Sequence, residues 1–136
     1  MPMPTYERFE DLPVWKTAAE LYDRTDDFLA ASPPRLSRSF RDQLERAVLS
    51  VSNNIAEGFE RGTTNELLAF LYIGRGSAGE VRSMLTVLSR RPWLEQNLKS
   101  QILNHKESAR FFSAALDRPS RSAALARSPF SSFSVR

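Results

Sequence analysis

The chain has 136 residues, 41% of them hydrophobic, with nineteen basic and sixteen acidic side chains and no cysteine. That length suits one domain with a real core, and the missing cysteines exclude disulfides, thiolate catalysis and thiolate metal sites in this chain. The net charge of +3 is unevenly placed: Arg118, Arg121, Arg127 and Arg136 have no acid among them, and without them the chain is close to neutral, so basic composition alone is weak ground for nucleic-acid binding.

In chain order, Met1–Glu10 lacks the apolar stretch behind a basic start that a secretory signal needs. No run approaches the ~20 apolar residues of a membrane span, so the expectation is a soluble, cytoplasmic protein. A first helix is predicted from near Pro13, with Asp11 close to its cap. Val14, Trp15, Ala18, Leu21, Tyr22, Phe28 and Leu29 recur along it at helical spacing, and Ser32-Pro33-Pro34 ends it.

A second helix is expected from about Leu36 to Phe59, with Phe40, Leu44, Ala47, Val48, Val51 and Ile55 as its apolar stripe and Gly58 and Gly62 breaking the pattern. Thr63-Thr64-Asn65-Glu66 reads as a capping box that opens a third helix running to about Ser89. Its residues Leu67, Leu71, Gly74, Ala78, Val81, Leu85 and Leu88 step by four and three, while Phe70, Ile73, Ser77 and Met84 widen the apolar face. A helix this apolar contacts more than one neighbour. After Pro92, a fourth helix spans about Leu94 to Leu116, with Leu98, Ile102, Ala109, Phe112 and Leu116 inward. No segment alternates with period two. The expected fold is all-α: an antiparallel up-down bundle of four helices over 1–117, with a disordered Arg/Ser-rich tail over 118–136.

The chemistry is mostly exclusion. Gly74-Arg75-Gly76-Ser77-Ala78-Gly79 matches G-x-G-x-x-G but lies mid-helix, without the strand a dinucleotide site needs. The expected reason for these glycines is close helix packing. A di-metal carboxylate bundle needs Glu-x-x-His on two helices, whereas the only histidine is His105 and position 102 is Ile. His105 reads as a hydrogen-bonded residue of the helix seam. Glu57 and Glu80 lie close to apolar stripes and are expected to pair with Arg61, Arg75 or Arg82 rather than do acid/base work. Arg35, Arg38, Arg41 and Arg46 lie away from the second helix's stripe and could grip phosphates. Arg38–Asp42, Arg41–Glu45 and Asp42–Arg46 are ready intrahelical pairs that would neutralise them.

Several motifs carry a resemblance. Phe9-Glu10-Asp11-Leu12-Pro13-Val14-Trp15-Lys16, Gln43-Leu44-Glu45-Arg46-Ala47, Ser50-Val51-Ser52-Asn53-Asn54-Ile55-Ala56-Glu57-Gly58-Phe59, and Phe70-Leu71-Tyr72-Ile73 with Gly76-Ser77-Ala78-Gly79-Glu80 follow one another in this order. Over about residues 6 to 90 the chain resembles the four-helix-bundle proteins encoded by intervening sequences in bacterial large-subunit ribosomal RNA genes. The resemblance marks Trp15, Asn54, Glu57, Gly58, Gly76 and Glu80 as structural motif residues. The family often has proline where Ser52 stands, and alanine or leucine at Gly74 and Gly79; the fourth helix matches only in type, the tail not at all.

The resemblance implies a cytosolic homo-oligomer, typically a ring of five bundles. It is also similar to the accessory variability determinant of diversity-generating retroelements, a ring that binds a reverse transcriptase and nucleic acid. Two functions compete. One is a non-enzymatic scaffold associated with RNA or DNA through Arg35, Arg38, Arg41 and Arg46, with Arg61 and Arg75 completing the candidate set. The other is a protein-only assembly or adaptor module. No nucleophile–base or metal constellation points to an enzyme, and no cofactor is implied.

Overall fold

A computed structural model describes residues 6–114, with the side chains of 107, 108 and 111–114 left out. Four helices follow a single 3-10 turn at Phe9–Asp11: α1 over Pro13–Ala31, α2 over Arg38–Glu60, α3 over Thr64–Ser89 and α4 over Gln96–Ala114. There is no strand among the described residues. Helices consecutive in the chain pack on one another, and α4 closes the bundle against α1. The expected end of the fourth helix at Leu116, the inward Phe112 and the tail over 118–136 lie outside the described residues or side chains.

The helix starts follow from local chemistry. Leu12 is the N-cap of α1, with Asp11 next to it as expected, and it makes no side-chain cap bond. Pro13 fills the first helical position, where a missing N–H costs nothing, and Asp11 belongs to the 3-10 turn. Helix α2 starts at Arg38 because the Ser37 hydroxyl accepts the Phe40 N–H at 3.1 Å. At α3 the Thr63 hydroxyl accepts the Glu66 N–H at 3.2 Å and donates to the Glu66 carboxylate at 2.8 Å, tying the two residues of the predicted capping box together.

Gly58 corrects the expected helix break. It is buried inside α2, and the chain turns only at Gly62, whose φ of 88° favours glycine. A Cβ on Gly58 would stand 2.6 Å from Phe70 Cβ and 3.2 Å from Leu67 Cα. Gly58 is therefore where the backbones of α2 and α3 close up. The other glycines behave differently. Gly74 is buried on the α3 stripe, but a Cβ on Gly76 or Gly79 would meet nothing within 4 Å, so packing inside the bundle does not account for those two.

The stripes meet in two core clusters. One draws on all four helices through Phe28, Leu44, Leu85 and Ile102. The second joins α1, α2 and α3 through Ala18, Ile55, Leu67 and Leu71, with Leu12 just ahead of α1. All seven stripe residues of α3 are buried, and α3 packs on both α2 and α4. His105 sits on that seam at 5% exposure. Its Nδ1 donates to the Gln101 carbonyl at 2.7 Å, and its ring lies 5.6 Å from that of Phe28.

Candidate assembly face and arginine sites

The side of α3 turned away from the core is built from the same helical spacing that buries its stripe. Ala69, Tyr72, Ile73, Gly76, Ser83, Thr86 and Val87 are exposed on it. Ile73, expected to widen the buried face, is 53% exposed, Tyr72 43% and Val87 47%. The only charge among the exposed residues from Ala69 to Ser89 is Glu80, whose carboxylate accepts from Gln43 Nε2 at 3.2 Å. The outward side of α2, by contrast, carries Arg38, Gln43, Glu45, Arg46, Asn53, Glu57 and Glu60, with Leu49 its one large exposed hydrophobic.

The candidate arginines separate by what their donors meet. Arg41 donates from Nη1 to Leu29 O at 2.7 Å, from Nη2 to Ser32 O and Pro33 O at 3.1 and 2.9 Å, and from Nε to Leu36 O at 3.3 Å. It gathers carbonyls from the end of α1 and its exit loop, two of which, Leu29 O and Pro33 O, also accept the backbone N–H groups of Ser32 and Leu36. It is thus a structural fork rather than a phosphate ligand. The expected Arg41–Glu45 pair gives way to this, and Glu45 instead accepts the Tyr22 hydroxyl at 3.3 Å. The Glu45 charge pushes the Tyr22 phenol pKa up.

Arg38 lies 3.9 Å from Asp42, both well exposed, and with Arg46 they line a shallow recess on α2. Arg46 makes no ion pair among the described residues. Arg61 donates to Glu57 at 2.8 Å and stands over the Phe70 ring at 5.1 Å, as the expected pairing of Glu57 required. The hydrogen bond to Glu57 raises the Arg61 pKa. Arg75 is half-buried and engaged. Arg35 has its guanidinium 5.6 Å from the centre of the Trp93 ring. The structure brings Arg38 and Arg46 together on α2, places Arg35 at one end of the bundle, and puts Arg61 beside the turn into α3.

The motif residues hold the bundle. The Asn54 amide donates to the Ser50 carbonyl at 2.7 Å and the Ser50 hydroxyl at 3.0 Å, and that hydroxyl meets Ser77 Oγ at 2.9 Å, linking α2 to α3. Trp15 stacks edge-on against Phe9 at 5.4 Å, fastening the 3-10 turn. The family model of the 23S rRNA-intervening sequence protein matches residues 10–114. The chain belongs to this family. No curated protein matches the chain. Membership extends the likeness beyond α3 into α4, which the motifs alone did not cover. Among the described residues no helix is long and apolar enough to cross a membrane, and no group of three or more His, Cys, Asp or Glu side chains could hold a metal ion.

Proposed function

We propose that this member of the family is a non-catalytic, homo-oligomeric scaffold, held together by the outward face of α3 and working in the cytoplasm. One observation carries the reading. From Ala69 to Val87 the exposed side of α3 offers Tyr72, Ile73 and Val87 around small Ala69, Gly76 and Ser83, with a single carboxylate. A face of this kind on a charged bundle is what a contact surface requires. Gly76, open to a Cβ within the chain, gains a role if another backbone approaches it. The resemblance noted above supplies five as the number of copies. Light scattering on a size-exclusion column at micromolar concentration tests this: a mass of several chains supports it, and a single-chain mass sinks it.

A second reading adds nucleic acid, RNA or DNA, to that scaffold. Arg46 and Arg35 make no ion pair among the described residues, and a ring would repeat each of them. Arg41, spent on backbone carbonyls, and Arg61, paired with Glu57, leave this set. Binding through phosphates would weaken steeply with salt and depend little on sequence. A docked partner protein such as a reverse transcriptase comes from the resemblance alone, and co-purification with both protein and RNA identified tests it.

A further inference from the structure

At one end of the bundle the α1–α2 and α3–α4 connections meet around a groove of about 200 Å³ that neither the α3 face nor the α2 recess explains. Arg35, Leu36, Phe40, Arg91 and Trp93 line it, with Val87 at the edge of the α3 face. No acidic residue lines it. Neither Arg35 nor Arg91 forms an ion pair among the described residues. Trp93 is half-buried: it packs in part against the core and lines the groove, with the Arg35 guanidinium 5.6 Å from the centre of its ring.

Each part restricts the occupant. Two guanidiniums without a carboxylate call for an anion, and the planar fork matches phosphate. The indole offers a surface on which a flat ring stacks, whatever its hydrogen-bonding pattern, in place of the Arg35 guanidinium that faces it here. The volume falls below the ~300 Å³ at which pockets begin to engulf a whole small molecule, so the groove holds one planar group while the remainder stays in solvent. An acidic peptide supplies charge without the ring. We infer that the groove takes a single nucleotide, its base against Trp93 and its phosphate on Arg35 and Arg91, supplied by an unpaired strand or by a free nucleotide. This rests on the nucleic-acid reading above but places the contact at the bundle end rather than on α2.

The test uses the full chain throughout, so that the tail arginines are common to every sample. In a Trp15→Phe background Trp93 is the sole indole, and its fluorescence at low salt reports the groove. An oligothymidylate of about ten nucleotides is expected to quench it, and an oligoglutamate of equal length is not. Quenching by thymidine monophosphate at equal nucleotide concentration assigns the site to free nucleotides; quenching by the oligomer alone assigns it to a strand.

With a labelled oligomer, Trp93→Leu should weaken binding about 10- to 100-fold while Trp93→Phe stays within about threefold. Arg91→Ala, at an exposed side chain, should weaken binding and lower the salt slope by about one contact, with the helical signal of each variant checked by circular dichroism. Failure of the parent to bind at low salt removes the nucleic-acid reading and this site together. Binding that survives Trp93→Leu and Arg91→Ala unchanged, or equal quenching by oligoglutamate, overturns the groove alone.

Discussion

Helices α2 and α3 form one hairpin and bury comparable stripes, yet their outward sides differ. Exposed α2 is charged and amide-rich, with one exposed leucine, as a face built for water should be. Exposed α3 carries three large hydrophobics, small residues and a single carboxylate. Both helices share one solvent in the isolated chain, so solvent exposure alone does not explain the difference. The second copy proposed above would account for it.

The largest effect that would break this comparison lies at the crossing that turns the two faces apart. Gly58→Leu should cost roughly 1–3 kcal/mol or more by overpacking, because the added side chain meets Phe70 at its Cβ, which cannot swing away. Even Gly58→Ala should destabilise, and a denaturant titration reads either variant. An unchanged midpoint would mean that the hairpin has room the structure denies.

Arg41→Met comes next. It removes four hydrogen bonds, although Leu29 O and Pro33 O keep a backbone N–H from Ser32 and Leu36, and the loss should be about 1–3 kcal/mol. Arg46→Met on the same helix should stay within about 0.5 kcal/mol, as surface substitutions away from such networks do. Equal losses at the two sites would contradict the division between structural and solvated arginines on α2.

The smallest effects sharpen the comparison most. A Cβ at Gly79 or Gly76 meets nothing within 4 Å, so alanine at either should stabilise the helix by about 0.5–1 kcal/mol through propensity. Gly76 is the exposed one of the two. If a second copy closes on it, Gly76→Ala should raise the melting temperature of dilute chain while weakening assembly, whereas Gly79→Ala should raise it at every concentration. Identical behaviour of the two variants would detach Gly76 from any interface.

Periodicity made much of this legible. The four-three steps of α3 are all buried, and Thr63 with Glu66 starts that helix as their spacing required. Glu57 met Arg61 and His105 met a carbonyl because both partners lie one helical turn away. What stayed hidden was tertiary. Arg41 has acids within reach on its own helix, and nothing local says that its fork will turn back to the end of α1. Gly58 looked like a stop because a glycine's helix cost is visible in sequence, whereas the approach of Phe70 is not. Ile73 and Gly76 were credited to packing because a wide apolar arc reads alike whether a neighbouring helix or another copy covers it.

The most direct measurement of the central claim is the molar mass of the full chain by light scattering on a size-exclusion column, run beside Tyr72→Glu/Ile73→Glu. Both side chains are exposed in the single chain, so the double variant should keep its helical circular dichroism. The account predicts several chains per particle for the parent and one for the variant. A parent that elutes as a single chain at micromolar concentration, or a variant with the parent's mass, would contradict it.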